Sequence, residues 1–246
     1  MTDEEHLTDP ERTTDRGHRP RHATASVAEQ SEEERGGPDS ILSRQSRDHA
    51  DLDALMTAYD RTADAGERAR IVAELADRAL RHAFAEETVL FPAYRRYLGD
   101  DEQLTAHIEG DHQFVNDALQ QLQSADPADP DYDRTVRRTF EVIRHDAHDE
   151  EDDLLPRLQQ VAGVEELRAI GGAWEVQRRV APTRPHPDVP RRPPGNVLAS
   201  LPLAVSDRAK DVVTGTSRLA AARRGRVALA GALVGAVLLV RAVRRR

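Results

Sequence analysis

Residues 81–92 read RHAFAEETVLFP, and residues 145–156 read HDAHDEEDDLLP. In the first stretch His82 and Glu86 stand four apart, and Pro92 follows six after the glutamate. Four residues bring a helix almost back to the same azimuth one turn further on, so both side chains project from one face. In the second stretch Glu150 stands six before Pro156, as Glu86 stands six before Pro92. The two segments, EETVLFP and EEDDLLP from those glutamates, read as an internal repeat of a helix pair. A lone His–Glu pair at this spacing is usually a surface pair. What surrounds it decides whether it is more.

Four helical blocks contain these stretches. The first, SILSRQSRDHADLDALMTAYDRT, follows the capping region Pro38-Asp39-Ser40 and places apolar residues at three- and four-residue steps. The second, GERARIVAELADRALRHAFAEETVLFPAYRRYL, ends at Gly99. Pro92 is expected to kink it or to mark a shift in register. The third is DDEQLTAHIEGDHQFVNDALQQLQ, and after the connector ADPADPDYD the fourth ends near Gly163. Nothing alternates with period two, so no sheet is expected. Four helices with short connections predict an all-α, up-down-up-down four-helix bundle over residues 39–162.

In such a bundle, equal distances from a turn mean equal heights. His49 and His82 lie about equally far on either side of the first turn. Glu86 and His112 do so about the second, and His112 and His145 about the third. Each helix is thus expected to deliver a histidine to one layer, joined by Glu86 and by a carboxylate of the fourth helix, for which Glu150 is favoured. The chain has no cysteine, which excludes disulfides, zinc–thiolate sites and iron–sulfur clusters. A set of imidazoles and carboxylates suits iron or manganese, with zinc as a further alternative. Bridging carboxylates with four or more imidazoles would hold two ions.

RDHADLDALM, HAFAEETVLFP, EGDHQFV and HDAHDEEDDLLP, in that order and spacing, resemble the hemerythrin (HHE cation-binding) family over roughly residues 40–160. The resemblance implies a bundle around two non-haem iron ions, with His49, His82, Glu86, His112 and Glu150 as matching ligands. His107 is an additional candidate on the third helix, but five residues swing it about 140° away from His112. The fourth helix departs from the commonest pattern: Asp146, not a histidine, stands four before Glu150, and His145 stands five before it. Either His145 ligates or Asp146 does, and His148 is a candidate to support them from outside. The resemblance implies binding or sensing of a small oxidant (oxygen, nitric oxide or peroxide) or of iron. Asp146 would instead enrich the site in carboxylate and favour an oxidase- or peroxidase-type enzyme.

The remaining residues take plainer readings. Phe84, Phe91, Phe114 and Phe140 are expected in the core. Glu87, Glu151, Asp152 and Asp153 are expected on a solvated face. Residues 1–38 lack an apolar run and are expected to be disordered. Residues 163–180 read as a short helical extension that Trp174 packs back onto the bundle. Residues 181–196 read as a proline-rich linker and 197–224 as an amphipathic helix. In the tail, 225–246, Val227–Val240 is an unbroken run of apolar residues and glycine between arginines. Its alternatives are a membrane-spanning anchor, a helix on an anionic membrane surface, or a helix in water. The net charge of −9 argues against nucleic acid as a partner. A cytoplasmic metal domain, with membrane association through the tail, is the expected arrangement.

Overall fold

A computed structural model describes residues 25–99, 102–182 and 184–185. Seven α-helices are present among them: α1 (Ile41–Arg61), α2 (Ala65–Ala85), α3 (Phe91–Leu98), α4 (Glu102–Ser124), α5 (Pro130–Asp149), α6 (Leu155–Val161) and α7 (Val164–Val180). No strand occurs among the described residues. α2 and α3 are one rod interrupted by a π-helical turn, Glu86–Leu90, and α5 and α6 are another, interrupted at Glu150–Leu154. Four rods result, joined as an up-down-up-down bundle, with α1 packed on α2 and α4 on α5.

Local chemistry sets the rod ends. Ser40 accepts a hydrogen bond from the Leu42 N–H at the start of α1, and Asp64 accepts from the Glu67 N–H at the start of α2. Asp129 caps α5, with Pro130 in its first turn, where no N–H is missed. Gly99 ends α3 with φ +72°, a conformation open to glycine. The two π turns have one cause. Pro92 and Pro156 carry no N–H, and their rings would strike a carbonyl one α-turn back. The helix widens instead, so that the Phe91 N–H donates to the Glu86 carbonyl and the Leu155 N–H to the Glu150 carbonyl. The register shift expected at Pro92 is therefore present, and it occurs twice.

The core divides into two apolar clusters. One gathers Leu52, Met56, Tyr59, Ile71, Leu75 and Phe140 towards one end of the bundle. The other gathers Ile41, Leu42, Leu90, Phe91, Ile108 and Leu154 towards the other. Phe91 and Phe140 join the core as expected, whereas Phe84 is only partly buried. Phe114 departs from expectation: it is exposed, with the Arg138 guanidinium over its ring.

Two elements close over the rods. α7 lies against α1 and α2 and buries Trp174 completely, as expected for an extension that packs back. Gly171 makes this crossing possible: a Cβ there would lie 2.3 Å from the Asp39 carbonyl oxygen. The segment from residue 25 to 38 also packs on the bundle, which corrects the expectation of disorder for that part of 1–38. Val27 is fully buried, the Arg168 guanidinium donates to the Gly36 carbonyl, and Gln30 pairs with Gln159. Polar side chains, rather than an apolar run, hold this strap in place. Among the described residues no helix is long and apolar enough to cross a membrane. The expected amphipathic helix at 197–224 and the tail at 225–246 lie outside the described residues, as does most of the 181–196 linker.

Candidate metal centre

Between the two apolar clusters lies a layer of buried polar side chains: His49, His82, Glu86, His112 and Glu150. An unpaired ion in such surroundings costs several kcal/mol or more, roughly, so the layer demands a chemical reason. Its donor atoms form two groups. In the first, His49 Nε2 lies 3.2 Å from His82 Nε2 and 3.3 Å from Glu150 Oε2, and His82 Nε2 lies 2.6 Å from Glu86 Oε1. One donor atom from each of His49, His82, Glu86 and Glu150 falls within 4.8 Å of the others. In the second group, His112 Nε2 lies 3.3 Å from Asp146 Oδ2 and 3.4 Å from Glu86 Oε2. His112, Asp146 and Glu150 meet the same 4.8 Å limit.

Glu150 belongs to both groups, and Glu86 directs one oxygen at each. Separations near 3.3 Å are those of donors that each sit ~2.1 Å from a shared cation. Several of these buried atoms accept or donate no hydrogen bond within the protein: Glu86 Oε2, His112 Nε2, Asp146 Oδ1 and both oxygens of Glu150. Buried polar atoms are ordinarily satisfied, and a set of orphans converging on one layer is what two cations would satisfy. The residues present therefore fit a pair of metal ions.

The outward nitrogens of the three histidines are braced. His49 Nδ1 lies 3.0 Å from Glu151 Oε1, His82 Nδ1 3.4 Å from Asp48 Oδ2, and His112 Nδ1 3.0 Å from Glu87 Oε1. A carboxylate at Nδ1 holds the proton there and leaves Nε2 as the inward lone pair, the tautomer a metal requires. Glu87 and Glu151 correct the expectation of a solvated face: Glu87 is buried and Glu151 half-buried. Sequence reasoning missed them because consecutive residues of an α-helix are 100° apart, so a neighbour of Glu86 should turn away. The π turns change that angle and bring both members of each Glu-Glu pair inward.

The halves correspond. His49 on α1 matches His112 on α4, Glu86-Glu87 match Glu150-Glu151, and His82 matches Asp146, each four before its glutamate. Asp48, which braces His82, matches Asp111, beside which stands Asp146. The correspondence thus breaks at one ligand position, leaving one group richer in nitrogen and the other richer in oxygen.

His145 does not enter the layer, contrary to expectation. Its side chain is 61% exposed and lies 3.6 Å from Asp149. Because Asp149 is the last α-helical residue before the bulge, the α-helical step holds back to Asp146, and only a four-residue spacing shares Glu150's face. Asp146 accordingly takes the position. His107, the additional candidate, is 54% exposed and also faces Asp149. His148 is exposed and bonds the Arg144 carbonyl, so it supports nothing in the layer.

The metal-free layer carries strong mutual fields. Burial opposes a charge on His82, but the Glu86 and Asp48 carboxylates overcome it and raise its pKa from 6.5 to about 9. Burial likewise opposes charge on His49 and His112. Glu150 and Glu151 raise the first, and Asp146 and Glu87 the second, well above the ordinary range. Burial would push Glu86 up, yet the surrounding imidazoles bring it down to about 2. Burial and then the Glu86 charge push Glu150 up to about 8. Protons here occupy the role that cations would take.

A cavity of about 30 Å³ opens beside the layer, walled by His49, His82, His112 and Asp146 and by apolar Leu52, Ala79, Val115 and Ile143. It has room for about one or two atoms the size of water oxygen. Trp174 packs against the His82 ring, edge to face, with centroids 5.6 Å apart.

The family model of the hemerythrin HHE cation-binding domain matches residues 40–158, the span of the four rods. The chain is also 26% identical over 134 residues to an uncharacterized hemerythrin-like protein of Schizosaccharomyces pombe. That alignment covers 54% of this chain and 66% of the relative, just under two thirds of its length. No solved structure matches the chain.

Proposed function

Residues 40–158 form a hemerythrin-like cation-binding domain, and from that premise we propose that the layer holds two non-haem iron ions and binds or senses a small oxidant. His49, His82, Glu86 and Glu150 would hold one ion, and His112, Asp146, Glu86 and Glu150 the other. Iron suits mixed imidazole and carboxylate donors, and once bound it supplies reversible one-electron chemistry towards oxygen, nitric oxide or peroxide. The observation that carries the reading is the cavity against these donors. Its volume of about 30 Å³ suits a diatomic molecule better than an organic substrate. Leu52, Ala79, Val115 and Ile143 give it an apolar wall, while the carboxylates at each Nδ1 keep the imidazoles aimed.

A second reading, an oxidase- or peroxidase-type enzyme, is favoured by one specific residue. Asp146 puts a carboxylate where the other half has His82, and oxygen donors stabilise the ferric state over the ferrous. The test of both is reconstitution of the metal-free chain with ferrous iron under anaerobic conditions, followed by metal analysis and optical spectra as oxygen is admitted. Two tightly held irons per chain and a colour change reversed by removing oxygen support binding. Irreversible oxidation, with peroxide consumed catalytically, supports the enzyme. Under half an iron per chain would remove both.

A further inference from the structure

A second group of metal-type donors stands outside the buried layer, on the solvent side of α4 and α5. His107 Nε2 lies 3.4 Å from Asp149 Oδ2, and His145 Nδ1 lies 3.6 Å from Asp149 Oδ1. The two imidazole rings are 5.9 Å apart between centroids, with their planes 68° apart. One donor atom from each of the three residues lies within 4.8 Å of the others. Neither ring packs in an apolar cluster, and both are more than half exposed. An exposed His–carboxylate pair contributes little to stability, so packing does not account for two histidines converging on one aspartate.

We propose that His107, His145 and Asp149 form an outer site for one divalent cation of borderline softness, such as zinc or ferrous iron, and that a cation reaches the buried layer from it past Asp111. Two imidazoles and one carboxylate are the donor set such ions take, with the remaining positions left to water. Exposure and incomplete enclosure make the site exchangeable rather than permanent. Asp111 stands between the outer and inner groups. Its Oδ2 is 3.9 Å from His107 Nε2, is buried, and makes no hydrogen bond. On its inner side is Asp146, whose Oδ2 is 3.3 Å from His112 Nε2. Acidic side chains thus continue from the surface, through Asp111, to Asp146 at the layer. The passage rests on the buried layer holding metal, as proposed above; the outer site does not.

The test uses the full chain, wild type and H107A/H145A, with H107Q/H145Q as a conservative control and circular dichroism to verify the helix content. Equilibrium dialysis of metal-free protein against zinc should show each double variant binding one equivalent fewer than wild type. Equal equivalents would overturn the outer site. Stopped-flow uptake of ferrous iron under anaerobic conditions should then reach the same chelator-resistant content in both proteins, severalfold more slowly in the variants. Equal rates would overturn the passage. No chelator-resistant iron in either protein would overturn the buried-centre reading and the passage together, while the zinc result would still decide the outer site.

Discussion

Glu87, in the π turn between α2 and α3, lies 3.0 Å from Nδ1 of His112 on α4, across the boundary between the two helical hairpins. Glu151 makes the reciprocal contact with His49 on α1. Each hairpin therefore aims the other's imidazole, and the glutamates next to Glu86 and Glu150 set the geometry of the donor layer from its outer side.

Removing one brace while keeping its shape isolates this role. Glu87→Gln or Glu151→Gln is expected to leave the fold intact and to weaken metal affinity by about ten- to a hundredfold. Competition against a chelator of known affinity measures it. Affinity unchanged in both variants would contradict the bracing argument.

The fourth-helix ligand is decided by a pair of variants. Asp146→Ala should lower the chelator-resistant iron content towards half, because only His112 and the shared glutamates then face the second ion. His145→Ala should leave that content unchanged, since its ring lies at the surface. The opposite pattern, measured by metal analysis after exposure to chelator, would restore His145 to the layer.

The metal-free protein should lose stability in alkali. The folded-state pKa of Glu150 is raised from 4.5 to about 8, and that of His82 from 6.5 to about 9. A group raised on folding stabilises fully below its unfolded pKa, and the contribution fades as pH climbs through the folded value. The fading windows therefore run from 4.5 to about 8 and from 6.5 to about 9. Glu86 has the opposite sign: lowered to about 2, it stabilises above 4.5 and fails only in acid. Melting temperature without metal should fall as pH rises from neutrality through about 9, and iron should flatten that slope by replacing the protons. A metal-free melting temperature that rises over this range would refute the account.

Gly171→Ala should destabilise the chain by about 1–3 kcal/mol, because the new methyl would meet the Asp39 carbonyl oxygen at 2.3 Å and the Ile41 nitrogen at 2.8 Å, both main-chain atoms. Thermal unfolding should show a loss of several degrees, whereas Gly172→Ala, which meets nothing within 4 Å, should show none.

The bundle was legible because helical periodicity and turn spacing are one-dimensional properties. Height in the layer was legible for the same reason: His49, His82, Glu86 and His112 follow from distance to a turn, and Glu150 from the spacing to Pro156 that repeats Glu86 and Pro92. Azimuth was harder. His145 and Asp146 share a height to within one residue, and the 100° between them, rather than depth, separates surface from centre. The braces at Glu87 and Glu151 were not legible, since they depend on a widened turn that the prolines announce only as a disturbance. The strap at residues 25–38 was missed because its hold is specific hydrogen bonding from Arg168 and Gln159, which leaves no hydrophobic signature.

The exchange of carboxylates between hairpins also bears on descent. A lone helix pair of this kind would own an imidazole with no one to steady it and a glutamate with nothing to steady. It could complete a four-donor group such as that of His49, His82, Glu86 and Glu150 only by meeting its twin face to face. Fusion through the short connection at residues 99–102 would have made that meeting permanent. Only then could one copy carry an aspartate, at position 146, where the other keeps a histidine, and the two donor groups grow unlike.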